Sequence, residues 1–215
     1  MDLDNNKIFT KIFMWMFVGL LITFGTGYYV SLNSNMFYNV FAKYYLILAI
    51  VEIGVAIFLS VRIRKMSPMT AKILYLLYTF LTGLTFSAIF VVYEITSIIF
   101  VFLISALIFG VFALIGYFTK IDLTRIGIYL MMALFGIIIC SIINIFVHSE
   151  TFNMALVIGA LILFIIYVAY DIQVIKKNMY GIPEEDNLAI YGAFQLYIDF
   201  INIFIRLLEL FGNRK

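Results

Sequence analysis

Charge is scarce in this chain. Asp, Glu, Lys and Arg together make up 12% of its 215 residues, against about 25% in a soluble domain. Cysteine occurs once, as Cys140, which excludes an intrachain disulfide and a cysteine metal cluster. Histidine also occurs once, as His148, so no multi-histidine metal site can form. The net charge of +2 is too small to point to a nucleic-acid partner. Proline occurs twice, and the longest polar stretch is the segment from Lys176 to Asn187. What fills the chain instead is apolar side chains, 65% of the total or about 140 residues. A membrane-spanning helix needs roughly 20, so there is room for about seven spans and little else. This excludes a soluble enzyme and a large extramembrane domain. It also excludes an outer-membrane barrel, whose strands alternate apolar and polar residues.

Seven apolar windows stand out, at 8–30, 43–61, 69–92, 96–118, 123–147, 153–175 and 188–211. Each is read as a helix, because backbone in lipid must satisfy its own hydrogen bonds. The expected fold is therefore all-α and integral to the membrane, a single seven-helix domain over 1–215. The first window is too long for a signal-peptide core and no small-residue cleavage site follows it, so it is read as an uncleaved span. Ser67 with Pro68 reads as a helix start. The break at Tyr93-Glu94-Ile95 is the weakest, since Glu94 alone interrupts the run. Thr119–Asp122 and His148–Thr151 read as short hairpin loops, and Gly181, Pro183 and the acids Glu184, Glu185 and Asp186 mark the last one.

Ten basic residues (Lys7, Lys11, Arg62, Arg64, Lys65, Lys72, Lys120, Arg125, Lys176 and Lys177) fall on the side of the N-terminus, against four elsewhere (Lys43, Arg206, Arg214 and Lys215). The positive-inside rule then puts the N-terminus in the cytoplasm and the C-terminus outside. A re-entrant seventh segment would instead leave Arg214 and Lys215 inside.

Ionisable groups within the hydrocarbon cost about 2.5–3.5 kcal/mol each on insertion scales, so each is a functional candidate. Four qualify: Glu52, Asp171, Asp199 and Arg206. In the seventh window Gly192, Gln195, Asp199, Asn202, Arg206 and Glu209 recur at steps of three and four, which places them on one helix face. Such a stripe is either interhelical glue or the lining of an ion path, with Gln195, Asn202, Arg206 and Glu52 as lining candidates. Asp171 and Asp199 fall in the same half of the membrane. Two carboxyls sharing one low-dielectric site cannot both ionise cheaply, so one takes a proton and the pair titrates as a unit. Alternatively each pairs with a base such as Arg62, Arg64 or Arg206. Asn144, Thr79, Thr82, Thr85 and Ser87 read as helix–helix glue, with Gly83 permitting close approach.

The stretch Tyr167-Val168-Ala169-Tyr170-Asp171-Ile172-Gln173, with Gln195-Leu196-Tyr197-Ile198-Asp199-Phe200-Ile201-Asn202-Ile203-Phe204, resembles the signature of the transmembrane Bax-inhibitor-motif family. Glu52 and Asn144-Ile145-Phe146 resemble its bacterial branch. The resemblance implies seven helices with the last in the centre of the other six, and a pH-sensitive calcium leak. It implies Asp171 and Asp199 as the di-aspartyl sensor and weak calcium site, and an arginine at the end of the second helix as a latch. The position expected for that arginine holds Ile63, flanked by Arg62 and Arg64.

No cofactor is expected, calcium being the transported ion, and no enzyme activity. The expected partners are the lipid bilayer, calcium and other membrane proteins, and the expected location is a bacterial plasma membrane. Two other functions compete. A non-transporting regulator of stress response or membrane-protein quality control needs only packed surfaces. An intramembrane aspartyl protease would use two aspartates, but Leu196-Tyr197-Ile198-Asp199 lacks the Gly-x-Gly-Asp half of its pattern. A retinal pump would need a Schiff-base lysine, and 188–211 contains none.

Overall fold

The computed structural model describes residues 5–33, 37–38, 42–178 and 185–215, without the side chains of Asn5 and Asn178. Gly181, Pro183 and Glu184 therefore lie outside the described residues. The helices are α1 (Asn5–Leu32), α2 (Ala42–Arg62), α3 (Pro68–Val92), α4 (Ile95–Phe118), α5 (Gly127–Val147), α6 (Glu150–Asn178) and α7 (Glu185–Phe211). A 3-10 turn, Ile63–Lys65, follows α2, and another, Leu123–Ile126, precedes α5. Among the described residues, seven helical segments are long and apolar enough to cross a membrane. The chain is an all-α membrane protein.

Several helices outrun their apolar windows, for local reasons. α6 begins at Glu150 rather than Asn153 because Ser149 caps it, its hydroxyl accepting from the Phe152 amide at 3.3 Å. α7 begins at Glu185 because acids are favoured in a helix's first turn. Both are also held by bases: Lys11 lies 2.8 Å from Glu185 and Lys72 lies 2.6 Å from Asp186. Ser67 and Pro68 start α3 as expected, the Ser67 hydroxyl accepting from the Thr70 amide.

The chain divides into two compact units. The first comprises residues 1–95, 178–197 and 214–215. In it α1 lies tightly along α3. A Cβ on Gly83 would meet Thr26 and the Thr23 backbone at 2.7–2.9 Å, so only glycine allows the approach. Thr23 donates to the Thr79 carbonyl at 2.8 Å, and its hydroxyl meets that of Tyr197. Tyr75 and Tyr78 pack edge-on against Tyr197, and Tyr78 also against Phe194. α2 is different, because Leu59 is its one buried residue.

The start of α7 and the last two residues of the chain meet α3 in this unit. That start is ion-paired to Lys72, while beyond the last turn of α7 the Lys215 amide donates to the Val92 carbonyl at 2.9 Å. α7 is an unbroken 27-residue helix, about 40 Å long at 1.5 Å per residue.

The second unit comprises residues 96–177 and 198–213. Phe102 and Phe109 of α4 pack against Phe200 of α7, and Phe102 also reaches Phe204. Gly116 of α4 lies against the Ala169 backbone of α6, where a Cβ would collide. α5 ends at His148 in the left-handed region (φ 55°), and Asn144 accepts from the Ser149 amide at 3.2 Å. Asn144 thus closes its own helix end and is not the interhelical glue expected of it. Ser87 likewise bonds back to Leu84 of its own helix.

Candidate functional site

Asp171 stands on α6 and Asp199 on α7, both within the second unit. The two side chains are 5% and 3% exposed, the burial of core residues rather than of surface acids. Their carboxyls lie within hydrogen-bonding reach of each other. Oδ2 of Asp199 has no further partner among the described residues. A contact between two carboxyl oxygens is attractive only when one of them carries a proton. The Tyr167 and Tyr170 rings meet edge-on at 6.0 Å on the same stretch of α6. Tyr170 itself is seated against Gly127, where any larger residue would strike its hydroxyl end.

Asp199 does not take Arg206 as its partner. Nη1 of Arg206 donates to Glu209 Oε2 at 2.7 Å, one turn along the same helix. Asn202 bonds back to the Ile198 carbonyl at 2.9 Å. Gln195 is half-buried, and Gly192 packs against Ile12. The stripe is therefore real as a helix face, yet much of its polarity is satisfied within α7.

What holds Asp171 in position is a clip that sequence reasoning missed. Gln173, two residues on and 8% exposed, donates through Nε2 to the Ile121 carbonyl at 2.8 Å. Its Oε1 accepts from the Leu123 amide at 2.9 Å. Both amide atoms thus close the turn between α4 and α5. Lys177 adds bonds of 2.7 Å to Asp122 and to Thr124. Those contacts hold the Asp122 carboxyl well below the usual carboxylate range. Lys176 lies 4.5 Å over the Tyr117 ring. With Gly116 against Ala169 and Gly127 against Tyr170, the end of α6 bearing Asp171 is fixed in height and rotation.

The other candidates belong to the first unit. Glu52 of α2 receives two hydroxyls from α3: Thr82 donates to Oε1 and Thr85 to Oε2, each at 2.9 Å. Here the expected glue does join helices. The Arg62 and Arg64 side chains are exposed, whereas Ile63 between them is fully buried. Arg64 donates through Nη2 to the Tyr191 hydroxyl of α7 at 2.6 Å, and its guanidinium lies 4.3 Å from that ring's centre. Neither contact was visible as a spacing, because each joins residues far apart in the chain.

Among the described residues no group of three or more His, Cys, Asp or Glu side chains could hold a metal ion. Calcium takes about six to eight oxygens. Asp171 and Asp199 would supply at most four, leaving water or carbonyls to complete the shell.

Comparison with known proteins agrees with this picture. The sequence profile of the family described as Inhibitor of apoptosis-promoting Bax1 matches residues 5–215. The inner membrane protein YbhL of Escherichia coli K12 is 40% identical over 212 residues, which cover 95% of this chain and 91% of that protein. An uncharacterized protein of Borreliella burgdorferi is 36% identical over 219 residues, covering 99% and 94% of the two chains. An uncharacterized membrane protein of Streptococcus pyogenes serotype M6 is 31% identical over 225 residues, covering 99% and 95%. With seven membrane-length helices and a family match running from Asn5 to the last residue, the chain belongs to the Bax-inhibitor family of multi-pass membrane proteins.

Proposed function

We propose that this protein is a pH-sensitive calcium leak of the cell membrane, in which Asp171 and Asp199 are the sensor and a weak site for the passing ion. The observation that carries the reading is the buried contact between the two carboxyls, with no base from their own unit at hand. A pair sharing one proton changes charge when it gains or loses that proton, and this biases an open–closed equilibrium. In this reading the N-terminus faces the cytoplasm and the C-terminus the outside, the orientation that the distribution of basic residues favours. Of the two latch candidates, Arg64 is favoured over Arg62 because it is already ordered, by the Tyr191 hydroxyl and ring.

The experiment is calcium entry into sealed liposomes containing the purified protein, scanned across pH. A flux that rises and falls with pH and is absent from empty liposomes supports the reading. No flux at any pH overturns it in favour of a non-transporting regulator.

A further inference from the structure

We propose that Glu52, Thr82 and Thr85 form a second proton-binding site, separate from the aspartate pair, which governs how α2 is held on α3. The Thr82 hydroxyl lies 2.9 Å from Glu52 Oε1 and 3.1 Å from the Tyr78 carbonyl. The Thr85 hydroxyl lies 2.9 Å from Glu52 Oε2 and 2.9 Å from the Thr82 carbonyl. Each hydroxyl has one proton and two acceptors in reach. Four contacts thus share two protons.

The arrangement has room for a third proton, on the carboxyl itself. With it, Glu52 donates to one hydroxyl, and that hydroxyl returns its own proton to the backbone carbonyl of α3. Without it, both hydroxyls turn to the carboxylate, and charge-assisted bonds tie α2 to α3 more strongly. The ligand is a proton, and the two states differ by that proton and the rotation of the one hydroxyl that accepts it.

The surroundings suit this. Among the described residues of its unit, no lysine or arginine is ion-paired with Glu52. The titratable groups around it are tyrosines: Tyr45 on α2 itself, Tyr78 on α3, and Tyr197 of α7 behind Thr82. α1 presents the uncharged Thr23 to Tyr197. α2 is lightly packed: Leu59 is its one buried residue, Leu48 joins the cluster of Val30, Phe37 and Leu84, and nothing lies within 4 Å of a Cβ placed on Gly54. A polar clasp in mid-span therefore carries an unusual share of the attachment of α2. Arg62 and Arg64 lie ten and twelve residues further along the chain. The consequence for the latch rests on the leak reading, whereas proton binding at Glu52 does not.

Infrared difference spectra of the purified protein in lipid vesicles, titrated over pH, test the site. The Asp171→Asn, Asp199→Asn background removes the competing carboxyls. The expected result is a protonated-carboxyl C=O band that titrates, vanishes in Glu52→Gln, and moves in frequency in Thr82→Val, Thr85→Val. Thr82→Ser, Thr85→Ser, which keeps both hydroxyls, restores the original band. Spectra of Glu52→Gln identical to the parent throughout the titration would overturn the proposal. So would a Glu52 band indifferent to loss of both hydroxyls. Loss of calcium flux with an intact Glu52 band would instead remove the leak reading and leave the proton site standing.

Discussion

Two carboxyl sites lie within the apolar helices, and they are built in opposite ways. Glu52 faces two hydroxyl donors on one neighbouring helix. Asp171 faces another acid, Asp199, in a place where both are nearly inaccessible. Their supports differ as well. α2 has a single buried residue, whereas α6 is held to the α4–α5 turn through Gln173, Lys176 and Lys177. Two hydroxyl donors compensate a buried carboxylate in part, so the Glu52 site admits either protonation state. A second acid does not, so the aspartate pair has no comfortable fully ionised state. The difference teaches that the chemistry of an intramembrane acid lies in its partner, not in its residue type.

Exchanging the partner is the strongest way to break this contrast. Asp199→Thr gives Asp171 the hydroxyl neighbour that Glu52 has. Asp171 keeps its carboxyl but loses the acid it shares a proton with, so the pH response of calcium flux should weaken and its midpoint move by at least about one pK unit, a tenfold change in proton affinity worth ~1.4 kcal/mol. A pH profile like that of the parent would show that the second carboxyl is not what matters. Gln173→Leu keeps both acids but removes the clip. It removes two part-buried hydrogen bonds, about 0.5–1.5 kcal/mol each, and leaves the Leu123 amide with its 3.0 Å bond to the Ile121 carbonyl alone. A lower melting temperature and a displaced pH midpoint are expected, with Gln173→Asn recovering less than the full effect because its amide is one methylene short.

How much of this could be read in advance depends on the distance over which each signal acts. The seven spans were legible because hydrophobicity and length are local. So was the stripe on α7, since residues three and four apart must share a helix face. The meeting of Asp171 with Asp199 needed the family resemblance, because 28 residues and a loop separate them. Nothing in the sequence announced that Thr82 and Thr85 would reach Glu52, or that Gln173 would close a turn 50 residues earlier. Thr and Gln are common, uncharged and unremarkable in spacing. The expected glue role of Asn144 failed for the converse reason. A polar side chain in a helix's last turn finds an unpaired backbone group sooner than it finds another helix.

Smaller effects sharpen the contrast at its edges. Arg64→Ala should raise calcium flux in the closed condition, whereas Arg62→Ala should leave it close to the parent. The reverse pattern would assign the latch to Arg62. Tyr191→Phe keeps the ring and removes one hydrogen bond, so its effect should fall between the two.

The smallest effect concerns the turn below Asp171. Lys177 holds Asp122 below the usual aspartate range, so this contact stabilises the folded chain above that range and is lost as pH falls through the lowered value. Lys177→Met should speed amide exchange at residues 121–124 at neutral pH, and that difference from the parent should shrink in strong acid. An unchanged exchange rate at neutral pH would show that Gln173 alone holds the turn.

The central claim is that a buried pair of carboxyls makes the membrane leak respond to pH. Calcium flux in liposomes, compared across pH for the parent, Asp171→Asn and Asp199→Asn, tests it most directly. The expected result is a pH-dependent flux in the parent and a flattened profile in each variant, because the carboxyl that remains has no second acid to share a proton with. Two variants that conduct with the parent's full pH profile would contradict the claim.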